Sequence, residues 1–232
     1  LMNKELFRRA LLKTAPVMAG YMVLGTGFGI LMKINGFGLG WTLAMSVFVF
    51  AGSMQYVGIS LMVSHASLFS IALTTLMVNA RHLFYGVSMI GKYKGAGTFK
   101  PYLMHALTDE TYSLVVSEKP PEHLNPFSYY SLISLLNHFY WISGSLIGSL
   151  IGSWLPFDPA GIDFSMTALF VTVFVEQWLT QTEHRPALIG LGASVICLLL
   201  FGANRFLIPA MVLITAVLLF SRRSLEGKLS HD

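Results

Sequence analysis

Residues Leu68 to Ile90 read LFSIALTTLMVNARHLFYGVSMI, and this stretch decides the class of fold. A helix of about 20 mostly apolar residues crosses the hydrocarbon core of a bilayer. This one has that length: it opens with Leu68 to Val78, which carries no charge, and then sets Asn79, Arg81 and His82 inside the apolar run. A charge at the centre of a bilayer costs at least about 2.5–3.5 kcal/mol on insertion scales, so Arg81 either faces a cavity or partner or snorkels towards an interface.

Similar runs lie on both sides. Ala15 to Leu31 and Trp41 to Val63 precede it; Tyr129 to Leu155, Phe164 to Thr180, Pro186 to Gly202 and Phe206 to Phe220 follow. Pro101 to Ser117 is only half apolar and carries Asp109 and Glu110, which reads as a re-entrant or kinked element. The expected fold is all-α: a polytopic transmembrane helical bundle of about seven spans plus that segment. It forms one transmembrane domain over residues 1–232, with halves at 15–117 and 129–221. Composition agrees, with 54% hydrophobic and only 11% charged residues and a mean hydropathy of +0.65. An average soluble domain is roughly 25% charged.

The net charge of +4 comes from clusters that flank apolar runs: Lys4, Arg8, Arg9 and Lys13; Lys92, Lys94 and Lys100; Arg222, Arg223 and Lys228. That is the positive-inside pattern, and no element interleaves basic and aromatic residues as a nucleic-acid face would. Three full crossings between the first two clusters would put them on opposite sides. Either the N-terminus is outside, or one of the first three segments turns back within the membrane. The favoured arrangement keeps Lys92–Lys100 and the C-terminus inside and makes 101–117 re-entrant. Leu1, ahead of Met2, is left out of the reading. Ala15 to Leu31 is expected to be a first membrane helix, since no small-x-small site closes it as in a cleavable signal. Cys197 is the one cysteine, which excludes an internal disulfide and a multi-cysteine metal site.

The spacing of glycines allows a repeat. Gly25 and Gly29 lead to Gln55 at intervals of 30 and 26, and Gly148 and Gly152 lead to Gln177 at 29 and 25. Transporters are often built from duplicated halves in inverted orientation; glycine is also simply common in membrane helices.

The polar residues within spans are the candidate site. Asn79, Arg81 and His82 form one group, in which Arg81 suits a substrate carboxylate or pairs with Asp109 or Glu110. Asp109 and Glu110 point about 100° apart on a helix, so one can meet a substrate ammonium or carry a proton while the other pairs with Arg81. In Ala51-Gly52-Ser53-Met54-Gln55, small residues mid-span serve close helix packing, the commoner use, or a local break. A break would free the N–H groups of Gly52 and Ser53 for an anionic group. Gln55 bonds a solute or holds two helices together. Glu176-Gln177 lies late in the 164–180 span, where a solvated end accounts for Glu176, and Asn137-His138 lies early in the 129–155 span. Gly144, Gly148 and Gly152 form a small-residue face for tight packing within the chain or against a second subunit in a higher oligomer. No catalytic residue, cofactor or metal site is expected, and no two histidines stand at i, i+4 on one helix.

Three elements in order, Phe50-Ala51-Gly52-Ser53-Met54-Gln55, Asn79-Ala80-Arg81-His82-Leu83-Phe84-Tyr85 and Leu107-Thr108-Asp109-Glu110-Thr111-Tyr112, resemble those of the AzlC family, the large subunit of bacterial branched-chain amino-acid exporters. The likeness covers about Ala15 to Phe220. It implies export of valine, leucine, isoleucine or analogues across the inner membrane, with a small membrane partner of AzlD type and, as our expectation, proton coupling. Met54 stands where the family's Ala-Gly-x-x-Gln element leads us to expect a small residue. The alternatives are an intramembrane protease-like hydrolase and a scaffold subunit that does not transport.

Overall fold

The computed structural model describes residues 4–118, 120, 125–154, 183–202 and 212–220, with isolated positions at 164, 167–168, 171, 174–175, 178–179, 206 and 209–210. Every regular element among them is helical. The chain divides into two compact units, Leu1–Leu169 and Phe170–Asp232. In the second, α9 spans Arg185–Phe201 and buries Ala193 and Cys197. Glu176 and Gln177 lie outside the described residues, as does most of the expected span 164–180.

The first unit is built on two long helices, α1 (Lys4–Ile34) and α8 (Pro126–Ile151). Among the described helices, α1 is the one both long and apolar enough to cross a bilayer unaided. It starts well before the expected Ala15, with an Arg9–Glu5 pair at 3.0 Å supporting the added turns. Asn125 starts α8 by accepting the N–H groups of Phe127 and Ser128, with Pro126 at the first helical position. Glycines let the two backbones touch. A methyl group added at Gly25 would sit 3.0 Å from the Trp141 carbonyl oxygen, and one at Gly144 would sit 2.9 Å from that of Tyr21. At Gly29 and Gly148 it would collide outright with the carbonyls of Ser145 and Thr26. The Gly144–Gly148–Gly152 face therefore packs on α1 of the same chain. Contacts climb both helices together, from Tyr21 opposite Gly144 to Ile30 opposite Gly152, so α1 and α8 are parallel. An inverted duplication aligned on these glycines would oppose them, and that alignment is corrected.

The stretch 41–63, expected as a single crossing, is a hairpin. Its first arm is α2 (Leu39–Ala44) with a π-helical turn at Met45–Val49; its second is α3 (Gly52–Val63). Between them Phe50 is left-handed (φ 39°, ψ 47°) and Ala51 extended, which stops one helix and restarts another. The arms lie side by side, since a methyl at Gly58 would be 3.2 Å from the Met45 terminal methyl. α3 then follows α1: Tyr56 donates to the Leu24 carbonyl at 2.6 Å, and Ile59, Val63 and Ser64 share a groove with Leu31 and Asn35. The chain thus returns to the end at which α1 finishes. Small residues at 51–53 make a tip, a use of Gly and Ser that the commoner packing reading ranks second.

The quoted stretch 68–90 is also broken. Ser67 caps α4 (Leu68–Val78) by accepting the Ser70 N–H, Asn79 leaves helical geometry (φ −94°, ψ 5°), and α5 (Ala80–Met89) continues. Next come α6 (Lys100–His105) and α7 (Asp109–Ser117), the latter capped by Thr108. Arg81 meets Asp109, Ser88 meets Tyr112, and Lys92 donates to the carbonyls of Val115 and Glu118, so α5 and α7 run parallel and end together. Residues 101–117 therefore enter and leave by one end, as a hairpin with its tip at 106–108. Lys13 of α1 pairs with Glu118 at 2.8 Å, and Tyr129 donates to Glu118 at 3.4 Å. The basic N-terminal helix and the Lys92 loop consequently share an end. Of the two resolutions offered by the charge pattern, a segment that turns back holds. Two pairs result, α1 with its hairpin (4–63) and α4–α5 with its hairpin (68–117), and they enter from opposite ends.

Candidate functional site

The two hairpin tips meet beside the middle of α1. Tyr21 stands edge-on to Phe50 of one tip, with ring centroids 6.4 Å apart, and exchanges a 2.6 Å hydrogen bond with Thr108 of the other. Around this junction the first turns of α3, α5 and α7 converge, because each begins at a break.

Arg81 is the centre. Its guanidinium pairs with the Asp109 carboxylate at 2.7 Å and donates to the Ser53 hydroxyl. Tyr85, one turn on along α5, donates to the other Asp109 oxygen at 2.7 Å. Tyr85 is held in turn by stacking on Tyr112, with centroids 4.4 Å apart, and Ser88 donates to the Tyr112 hydroxyl at 3.1 Å. The Arg81 and Asp109 side chains keep 28% and 30% of their exposure, so the pair is half-buried and reachable. A charge-assisted pair of this length is roughly twice as strong as a neutral hydrogen bond.

Glu110 faces the other way, as the 100° helical step requires. Tyr21 donates to its carboxylate at 2.7 Å, while Thr108, Thr111 and Asn137 form a hydrogen-bonded chain beside it, tying the second tip to α1 and α8. No side chain caps α3 or α5, whose leading residues Ala51 and Asn79 make no side-chain cap bond. The first turn of α3 thus presents the positive end of its helix dipole without a side-chain cap, while in α5 the His82 amide is taken by the Asn79 carbonyl at 2.9 Å.

A family profile described as AzlC protein matches residues 16–155. The chain belongs to the AzlC family. It is 43% identical over 220 residues to the branched-chain amino acid transport protein AzlC of Bacillus subtilis strain 168, covering 95% of this chain and 87% of that one. An uncharacterized membrane protein of Helicobacter pylori strain J99 is 42% identical, covering 95% and 96%. The inner membrane protein YgaZ of Escherichia coli K12 is 25% identical, covering 85% and 81%. No solved structure matches.

In this AzlC chain the structure brings Ser53, Arg81 and Asp109 into direct contact. Gly52 lies at the break with its α-carbon against the Trp141 ring, where an added methyl would come within 3.1 Å. Gln55 is fully buried, and among the described residues its amide has no hydrogen-bond partner. Asn79 forms the α4–α5 joint. His82 sets its ring edge-on to Tyr85 at 5.7 Å. Tyr21, Tyr85 and Thr108 complete the site and escaped sequence reasoning. Tyr85 and Thr108 lie within the family elements and were legible there, whereas a tyrosine in an apolar helix, such as Tyr21, carries no distinguishing signal. Asn137 and His138, which the sequence places early in the 129–155 span, are buried at the junction.

Proposed function

We propose that this protein is the large subunit of a two-component exporter that carries valine, leucine, isoleucine or close analogues out across the bacterial inner membrane, coupled to proton entry. The Arg81–Asp109 pair carries the reading, because it is the charge pattern of a zwitterion turned inside out. With no solute bound, the two neutralise each other. An arriving amino acid presents its carboxylate to Arg81 and the uncapped first turn of α3 at Gly52 and Ser53, and its ammonium to Asp109. Each protein charge exchanges one partner for another, so no net charge is buried at any stage, and an unpaired buried charge is the costly alternative. Ser53 and Tyr85 keep both groups oriented during the exchange.

In this placement α1, α4–α5 and α8 cross the bilayer, the two hairpins re-enter from opposite faces, and the basic end of α1 lies in the cytoplasm with the Lys92 loop. Tip motion of either hairpin exposes the site to one face at a time, as in transporters with a fixed midplane site and broken helices. The apolar outer faces meet lipid and the small AzlD-type partner. Ser53 bonds a guanidinium, which cannot serve as a base, so the site lacks the nucleophile–base pair of a hydrolase.

The test uses cells without leucine exporters of their own, loaded with a leucine dipeptide and expressing the chain with and without the small partner. Leucine efflux is expected from the pair. Arg81→Ala and Asp109→Ala are expected each to lower it more than ten-fold at unchanged membrane abundance. Intact efflux from both variants overturns the proposal.

A further inference from the structure

The hairpin 39–63 has a second end to its break. Ser53 and the uncapped start of α3 lie after Phe50; before it, the helix ends in carbonyls that lack the next turn. Two of these are taken by histidines from other elements. His138 of α8 approaches the Ser46 carbonyl with Nε2 at 3.1 Å, and His105 of α6 approaches the Val47 carbonyl with Nε2 at 3.3 Å. Their rings are 6.1 Å apart, and Phe50, the left-handed residue of the tip, stacks flat on His138 at 4.0 Å and lies 6.5 Å from His105.

The bonds fix the protonation chemistry. A carbonyl only accepts, so Nε2 of His138 carries the hydrogen and Nδ1 is left as the basic atom. Nδ1 faces the Tyr102 hydroxyl at 3.3 Å, a group that donates or accepts by turning its O–H. His138 can therefore gain or lose a proton at Nδ1 without losing a hydrogen bond in either state. Burial and the neighbouring His105 oppose an imidazolium there, and the Ser46 carbonyl, the negative end of the helix that stops at this tip and the face of Phe50 favour it. His138 is 9% exposed, whereas His105 lies on the surface of the chain. The titratable groups facing His138 are Tyr102 and His105, both on α6; the hairpin presents carbonyls and the Phe50 ring.

We infer that His138, with His105 as its outer neighbour, is the proton-carrying site of this transporter, and that Phe50 links its protonation to the solute site three residues on. This rests on the reading as a proton-coupled exporter and names the residues of the coupling. Asp109 is committed to Arg81 and the solute, and Glu110 to Tyr21. A proton taken at Nδ1 on one face makes His138 cationic, draws the carbonyl end of the tip to it, and holds Phe50 left-handed. Its release at the other face weakens that hold. The same backbone turn presents Gly52 and Ser53, so the amide end moves with the carbonyl end.

The experiment compares two modes of transport in proteoliposomes holding the whole complex: exchange of labelled for unlabelled leucine at equal pH, and accumulation driven by a pH gradient. His138→Gln, which can keep the bond to Ser46, is expected to retain exchange within about two-fold and to lose gradient-driven accumulation more than ten-fold. His105→Gln is expected to slow the driven mode several-fold. Retention of both modes by His138→Gln, loss of both, or the uncoupled pattern from Glu110→Gln instead, each overturns the inference. An independent reading needs no leucine. In 15N-histidine NMR of the purified chain, one histidine is expected to pass from the Nε2–H tautomer to imidazolium as pH falls, and His138→Gln is expected to abolish that signal. A chain that moves no leucine yet shows this titration defeats the export reading alone; absence of the titration defeats the proton site.

Discussion

At the scale of single residues, the account turns on how few groups hold Arg81 and Asp109 in place. Tyr85 gives Asp109 one hydrogen bond at 2.7 Å, and bonds to charged groups contribute roughly 1.5–3 kcal/mol. Tyr85→Phe keeps the stack on Tyr112 and removes only that bond. Leucine affinity is expected to fall about ten-fold at this variant, with the protein still folded, as measured by leucine-dependent thermal stabilisation; an unchanged affinity would show that the bond does not orient the carboxylate. The pairing of Arg81 with an acidic residue was legible in the sequence, because a charge amid Leu68–Ile90 needs a partner. Which carboxylate it chose was not, since adjacent Asp109 and Glu110 differ only by the phase of a helix whose start the sequence leaves open. Thr108 as cap sets that phase: it puts Asp109 towards α5 and Glu110 towards Tyr21. His138 carried no signal beyond its place early in the expected 129–155 span. α8 begins at Pro126, so His138 is more than three turns inside it.

At the scale of elements, the breaks organise everything. Hydropathy reports that 41–63, 68–90 and 101–117 are apolar enough to be buried, but it does not report direction. A hairpin and a crossing have the same composition, so the expected count of about seven spans includes one, 41–63, that turns back. The left-handed Phe50 carries no sequence signal of its own, since a non-glycine residue adopts that region only where its surroundings impose it. The helix seam is the opposite case. Gly144, Gly148 and Gly152 read as a packing face from spacing alone, and the structure supplies the partner, α1 at Gly25 and Gly29. Gly29→Val drives a side chain into the Ser145 carbonyl, whereas Gly20 has nothing within 4 Å of an added methyl. Gly29→Val is expected to lower stability by more than about 3 kcal/mol, in the upper tail of single substitutions, and Gly20→Val by little beyond its intrinsic helix cost. Thermal unfolding of the purified proteins in detergent measures both, and equal stability of the two variants would contradict the close crossing.

For the whole molecule, the hairpin at 39–63 reconciles two basic clusters that three crossings would separate, and Glu118 links them, pairing with Lys13 and accepting at its carbonyl from Lys92. With Cys197 replaced by serine, a cysteine at Arg8 and one at Lys94 are expected to react with an impermeant thiol reagent from the same face of the membrane, and one at Ser64 from the other. Reaction of the first two from opposite faces would remove the re-entrant arrangement. Membership of the AzlC family was legible from three short elements because each lies on a break around the site: at Phe50–Gln55, at Asn79–Tyr85 and at Leu107–Tyr112. Their convergence was not, since it depends on α1 and α8 holding two hairpin tips at one height. The claim on which function depends is that a zwitterion binds between Arg81 and Asp109. Binding of labelled leucine to the purified complex tests it most directly. Leucine is predicted to displace the label, leucinamide and 4-methylpentanoate, each lacking one of the two charges, to fail at hundred-fold excess, and Arg81→Ala to bind no label. Displacement by either analogue as readily as by leucine, or full binding to Arg81→Ala, would contradict it.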